Sequence, residues 1–186
     1  MKSKFSAKDI LVPTISLFLI ALVATFLLAV VNNLTVDKIA EQTAKQEAAA
    51  RETVFADASS FEEKDGYYTA VNADGKVIGY VFNTACKGYG GDVPVTVGID
   101  TDGAITGIVP GDVSNETPGL GQNALKDSFK KQFAGLNGEI TVVKNAANAD
   151  NNEIQALTSA TITSKAVAGA VNLAFEQYAE VTGGAK

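Results

Sequence analysis

Histidine is absent from this 186-residue sequence, and cysteine occurs once, as Cys86. Without histidine the chain cannot assemble a Ser-His-Asp or Cys-His catalytic unit of its own. Nor can it hold zinc, copper, haem or non-haem iron through imidazole. A single thiol neither anchors an iron–sulfur cluster nor closes an internal disulfide. Redox chemistry on this chain would therefore need an organic cofactor. An excess of basic residues is lacking as well. The formal net charge is -6 with no offsetting basic patch, which argues against nucleic acid as a partner. Apolar residues make up 46% of the chain, enough for a real core, and the length allows one domain plus an appendage.

Charge is missing altogether from residues 10–31. As a helix this run spans roughly 33 Å, enough to cross a bilayer core. A cleaved signal peptide is the competing reading, but Val30-Val31-Asn32-Asn33 is a poor cleavage site. Lys2, Lys4 and Lys8 precede the run with only Asp9 against them. The positive-inside rule then puts residues 1–9 in the cytoplasm and the bulk of the chain outside, with lipid around the span. Residues 32–58 read as a polar helical stalk rich in Ala, Glu, Gln and Lys, with Ile39, Val54 and Phe55 too sparse for an apolar stripe. No sustained heptad supports a coiled coil there.

Residues 59–186 are expected to form one α+β domain. Residues 67–72 and 76–87 pattern as strands joined by an Asn-Ala-Asp-Gly turn, and 93–100 and 104–110 as a second hairpin. Residues 122–133 have helical spacing through Leu125, Phe129 and Phe133. A short strand at 139–144, an Asn-rich loop at 145–152 and a final helix from Thr161 to about Tyr178 complete the order. That helix carries Val167, Ala170, Val171, Ala174, Phe175 and Tyr178 on its apolar side. Strands and helices that do not alternate regularly imply α+β rather than a doubly wound sheet.

Three segments could carry chemistry. In Leu157-Thr158-Ser159-Ala160-Thr161-Ile162-Thr163-Ser164, hydroxyl and small residues crowd a helix start. Unpaired N–H groups and the helix dipole favour a phosphate there. Ordinary N-capping accounts for the same residues. A Ser164-Lys165 nucleophile pair is weaker, because adjacent helical residues do not face each other. Asn115-Glu116-Thr117-Pro118-Gly119-Leu120-Gly121 reads either as a turn or as a rigid loop packing Leu120 on a planar ligand, with Glu116 and Thr117 as polar contacts. Lys87-Gly88-Tyr89-Gly90-Gly91-Asp92 is a hairpin connection or a ligand loop, and without a Gly-Lys-Ser/Thr ending it is not a P-loop. Cys86 beside it reads as a packed thiol.

Together, in this order and behind one membrane span, these segments resemble the FMN-binding family. That family includes the G subunit of Rnf electron-transport complexes and the C subunit of the sodium-translocating NADH:quinone reductase. Its attachment signature runs approximately Asp-Gly/Ala-x-Ser/Thr-Gly/Ser-Ala-Thr. Gln155-Ala156-Leu157-Thr158-Ser159-Ala160-Thr161 matches it, with Gln155 where the pattern has Asp. The Glu116–Gly121 stretch and the Gly-Tyr-Gly-Gly element match as well, although Asp92 and Val93 stand where Pro-Ile is more usual. The similarity covers nearly the whole chain, and its compact length resembles the Rnf G subunit more than its reductase counterpart.

The resemblance implies a prokaryotic inner-membrane flavoprotein with FMN joined to Thr161 by a phosphoester. Tyr89, Glu116, Thr117, Gly119, Leu120, Thr158, Ser159, Ala160, Ile162 and Thr163 would contact the cofactor. It further implies a flavin transferase for maturation, and electron transfer within a complex of membrane and peripheral subunits. That complex would couple ferredoxin and NAD to sodium or proton export. Tethering would keep the flavin at high effective concentration in every redox state. A membrane-tethered FMN-binding regulatory module without an electron-transfer role is the rival reading. A secreted hydrolase is weak for want of a nucleophile pair.

Overall fold

The computed structural model describes residues 7–183. The chain divides into two compact units, Met1–Lys45 and Gln46–Lys186. Helix α1, Ala7–Val54, runs through the boundary between them. The span read at residues 10–31 and most of the helical stalk read at 32–58 fall within this one continuous helix. Neither glycine nor proline follows Pro13 within it, and Thr35 Oγ1 bonds back to the Val31 carbonyl at 2.9 Å. Among the described residues α1 is the one helix long and apolar enough to cross a membrane. Ile10, Leu11, Phe18, Leu22, Phe26 and Leu28 are all exposed, so the first unit buries none of its apolar run against protein. A helix apolar on every side needs lipid or a protein core around it.

The second unit is built on an antiparallel meander of β1 (Ser60–Glu63), β2 (Tyr68–Val71), β3 (Val77–Lys87), β4 (Asp92–Asp100) and β5 (Ile105–Pro110) in sequential order. Asn-Ala-Asp-Gly turns β2 into β3: Asn72 Oδ1 accepts from the Asp74 and Lys76 N–H groups. Asp100 Oδ1 does the same for Asp102 and Ala104 at the next hairpin. Strand β1 was not foreseen. It is a four-residue edge strand carrying Glu62 and Glu63, a composition that blunts an open sheet edge.

Each sheet face is committed to a different partner. Phe82, Val93, Val95, Val97 and Ile99 pack against helix α3 (Thr161–Thr182) and against Phe129, Phe133, Leu136 and Ile140. Alternation puts Val81 on the opposite face, where it meets Ala70 and the end of α1 through Val54 and Phe55. That contact needs a slot. A methyl group on Gly79 would sit 2.3 Å from Phe55 Cζ, and one on Gly98 would sit 2.9 Å from Val54 Cβ. The two glycines lie in adjacent strands, Gly79 in β3 and Gly98 in β4.

Helix α3 matches its expected apolar face. Val167, Ala170, Val171 and Ala174 are buried, with Phe175 and Tyr178 packed beside them. Its alanines let the backbone approach the sheet, so that buried Thr84 donates to the Ala170 carbonyl at 2.7 Å. Cys86 packs against Gly169, and burial, helped by the Asp92 charge, pushes its thiol up. That suits a packed cysteine, not a reactive one.

The segment from 121 to 133 corrects the reading of one helix. A 3-10 turn, Gly121–Leu125, and a single-turn α2, Asp127–Lys130, are separated by Lys126 in an extended conformation. Phe129 and Phe133 are buried as their spacing suggested, whereas Leu125 is exposed because the break turns it away. The expected strand near 139–144 is β6 (Thr141–Val143). It pairs in parallel with β7 (Glu153–Gln155), which the Asn-rich sequence before it concealed. The result is the α+β architecture expected of the domain.

Candidate functional site

Helix α3 begins at Thr161 with Ala160 at its N-cap position, and no side chain caps it. This is unexpected among so many hydroxyls. Ser164 Oγ turns back to accept from the Leu157 N–H at 2.9 Å and donates to the Ala160 carbonyl at 3.0 Å. Thr163 is committed elsewhere. The N–H groups of Thr161, Ile162 and Thr163 are left without an acceptor among the described residues. Ser159 enters the helix at φ 61, a left-handed conformation costly for a residue with a Cβ.

Two loops meet this helix end. The 114–121 loop is fastened by its own C-terminal flank: Gln122 Nε2 donates to the carbonyls of Glu116 (3.1 Å) and Ser114 (3.3 Å), and Asn123 Nδ2 to Gly119 (2.6 Å). The Gly-Tyr-Gly-Gly loop joins β3 to β4. Glu116, 2% exposed, ties all three segments together. Its Oε2 accepts from Thr163 Oγ1 at 2.5 Å, and its Oε1 accepts from the N–H groups of Tyr89 (2.9 Å) and Gly90 (3.0 Å). Burial by itself would raise this carboxyl. The bonds from Thr163, Gly90 and Tyr89 outweigh burial and hold it below the ordinary carboxylate range.

A cavity of about 460 Å³ lies against the helix end. It is lined by Tyr89, Thr117, Leu120, Gly121, Ser159, Ala160, Thr161, Ile162 and Thr163. Tyr89, Leu120 and Ile162 are apolar side chains exposed around it, at 71%, 38% and 53%. Thr161 is half-buried on the wall. Most of the residues singled out from sequence therefore come together here. Three do not line the cavity: Glu116, whose carboxylate is consumed behind the wall, and the exposed Gly119 and Thr158. Sequence reasoning placed Gly121 in the ligand loop without singling it out as a contact, and missed Gln122 and Asn123 as loop fasteners. Their signal was position, immediately after the proline-glycine loop.

This arrangement of sheet, helix end and cavity defines an α+β domain with a small-molecule site, and comparison with known proteins supplies the ligand. Residues 88–176 match the FMN-binding domain family, and residues 1–54 match the RnfG N-terminal region. The G subunit of the Na(+)-translocating ferredoxin:NAD(+) oxidoreductase complex of Acetobacterium woodii is 38% identical over 184 residues, covering 87% of this chain and 88% of that protein. The G subunit of the proton-translocating complex of Clostridium ljungdahlii is 45% identical over 134 residues, 69% of each chain. The chain belongs to the family of G subunits of ion-translocating (Rnf) oxidoreductase complexes, and its cofactor is FMN. Among solved structures, the C subunit of the Na(+)-translocating NADH-quinone reductase from Parabacteroides distasonis has 27% identity and a TM-score of 0.50, covering 60% of each chain. Shewanella oneidensis NqrC, at 20% identity and a TM-score of 0.51 over 63% of each chain, shares the fold.

Proposed function

We propose that Thr161 carries FMN as a phosphoester through Oγ1, and that the chain serves as a membrane-anchored electron-transfer subunit of an ion-translocating ferredoxin:NAD oxidoreductase. One observation carries the reading: an uncapped helix N-terminus and a half-buried threonine hydroxyl share a cavity with three exposed apolar side chains. The residues present fit the cofactor. The first-turn N–H groups and dipole of α3 suit a phosphate, and a diester keeps one negative charge, worth roughly 0.3–1 kcal/mol at a helix end. Tyr89, Leu120 and Ile162 suit the faces of a planar ring, and the cavity volume is that of a small-molecule site. Thr117, Ser159 and Ala160 complete the wall, while Gly119 and Thr158 shape the two loops beside it.

Attachment is a phosphoryl transfer. Thr161 Oγ1 forms a bond to the flavin phosphorus and gives up its proton to a base on the flavin transferase. FMN itself offers only a poor leaving group. The donor is therefore a flavin dinucleotide, whose anhydride P–O bond breaks and whose nucleoside monophosphate leaves with the electron pair. When bound, FMN supplies one- and two-electron transfer, which no side chain of this chain can. Lys2, Lys4 and Lys8 favour a cytoplasmic N-terminus, with the span at residues 10–31 in the inner membrane and the flavin domain outside. Its partners are then the membrane and peripheral subunits of the same complex.

The test is the intact mass of the denatured protein from its native host. The expected mass is that of the chain plus FMN less one water, with flavin fluorescence surviving denaturation and both lost in Thr161→Ala. An unmodified wild-type mass would overturn the covalent assignment.

A further inference from the structure

Glu116 lies outside the cavity, yet it is the most heavily committed side chain around it. A carboxylate at 2% exposure is costly unless its oxygens are satisfied, and no lysine or arginine pairs with it among the described residues. Neutral donors from two other segments take that role: the Thr163 hydroxyl, and the Tyr89 and Gly90 N–H groups. Space for the carboxylate exists because two neighbours, Gly88 and Gly121, have no side chain. A Cβ on Gly88 would lie 2.5 Å from Glu116 Oε1, and one on Gly121 would lie 2.8 Å from Oε2. On Gly90 it would lie 1.8 Å from the Asn115 carbonyl oxygen. The glycines of both loops are thus fitted around one acid.

Thr163 stands two residues after Thr161 in the first turn of α3, and Tyr89 lines the same cavity. We propose that Glu116 is the positioning residue that presents Thr161 for flavin attachment, one carboxylate oxygen fixing the helix start and the other fixing the Tyr89–Gly90 backbone. The bond to Thr163 also withdraws that hydroxyl from competing as an acceptor. Thr158 and Ser159 precede the helix, so the orientation of the first turn decides which hydroxyl meets the donor. The inference rests on the reading that Thr161 is the attachment residue. The step it serves is the one written above: the Thr161 Oγ1–P bond forms, the donor's anhydride P–O bond breaks, and a nucleoside monophosphate leaves.

The experiment incubates detergent-solubilised full-length chain with a flavin transferase and flavin adenine dinucleotide, and follows loading by intact mass against acceptor concentration. Wild type, Thr161→Ala, Glu116→Gln, Thr163→Val and Thr163→Ser are compared, and a thermal melt of each reports folding. We expect Glu116→Gln and Thr163→Val to load at least tenfold more slowly in maximal rate. The half-saturating acceptor concentration should stay near wild type, because the surface the transferase meets is unchanged. Thr163→Ser, which keeps the hydroxyl, should restore loading. A purely structural role would lower the melt without this split or this rescue. If Glu116→Gln does not fold, the Thr163 pair decides the matter. Wild-type rates in Thr163→Val, or no rescue by Thr163→Ser, overturn the proposal while leaving Thr161 as acceptor. A wild-type chain that loads no better than Thr161→Ala overturns the attachment reading, and this inference with it.

Discussion

Gln132 holds the backbone of Gln155 with both ends of its amide: Oε1 accepts from the Gln155 N–H at 2.7 Å, and Nε2 donates to the Gln155 carbonyl at 3.3 Å. This fixes the end of β7, six residues before Thr161, to the segment that follows α2. The Gln155 side chain is exposed and makes no hydrogen bond among the described residues. The position at which this chain departs from the family's Asp thus contributes backbone rather than side chain to the fold. Gln132→Ala should cost about 1–3 kcal/mol, two bonds at a net value of about 0.5–1.5 kcal/mol each. Gln155→Asp should stay within about 0.5 kcal/mol of wild type. Thermal unfolding of the solubilised chain followed by circular dichroism measures both, and a larger loss in Gln155→Asp would refute this account.

Ser159 carries a conformational penalty that glycine would not. Its φ of 61 costs a residue with a Cβ about 1–2 kcal/mol, against about 0.4–1 kcal/mol that glycine adds to the unfolded chain's entropy. Ser159→Gly should therefore stabilise the domain by roughly 0.5–1 kcal/mol. Ser159→Val, β-branched, should destabilise it. Melts that rank the two the other way would contradict the assigned backbone.

The loop glycines act differently. Nothing lies within 4 Å of a Cβ on Gly119, whose only demand is its φ of +75, whereas a Cβ on Gly121 meets Thr163 Oγ1 at 2.7 Å. Gly119→Ala should cost about 1 kcal/mol and leave the flavin absorbance spectrum unchanged. Gly121→Ala should shift that spectrum, because it displaces the Glu116–Thr163 bond at the cavity wall. Identical spectra for the two variants would separate that bond from the flavin.

On the other sheet face, Gly98→Ala would place a methyl group 2.4 Å from Thr106 Oγ1 and 2.9 Å from Val54 Cβ. Overpacking of this kind costs about 1–3 kcal/mol. The slot lies across the sheet from α3, so FMN content, read from flavin absorbance, should not change. A fall in FMN content with the melt preserved would show that the two faces are coupled.

Glu116 also makes stability depend on pH. Its folded pKa is depressed, so its contribution is whole above the ordinary carboxylate pKa of about 4.3 and is lost as pH falls through the folded value. Asp112, held down by the Ser114 N–H, and Asp127, beside Lys130, act with the same sign. The melting temperature should fall on acidification below about pH 4.3, and fall less steeply in Glu116→Gln. Equal acid slopes in the two proteins would remove Glu116 as a source.

Local chemistry was legible wherever one segment decides its own state. The uncharged run declared a membrane-length helix, the Asn-Ala-Asp-Gly and Asp-Thr-Asp-Gly turns declared two hairpins, and Val167, Ala170, Val171 and Ala174 declared the buried face of α3. Each follows from spacing and turn residues a few positions apart. Strand β7 was not legible, because a three-residue strand exists only through its parallel partner β6. Nor was the break at Lys126, because Leu125 and Phe129 keep helical spacing across it although they belong to separate turns.

The sequence by itself determined which residues crowd the site: the hydroxyl run, the proline-glycine loop and the Gly-Tyr-Gly-Gly element. Tertiary structure alone decided what each does there. Glu116, read from sequence as a ligand contact, is turned inward, because the nearest donors are 26, 27 and 47 residues away in the chain and converge on it only after β3, β4 and α3 have packed. The hydroxyls that looked like helix caps are not caps. Thr163 is taken by that carboxylate and Ser164 by the Leu157 N–H, which leaves the end of α3 open toward the cavity. A carboxylate's partner is set by burial and by whichever donors the fold brings within 3 Å, and no local pattern in the chain encodes that distance.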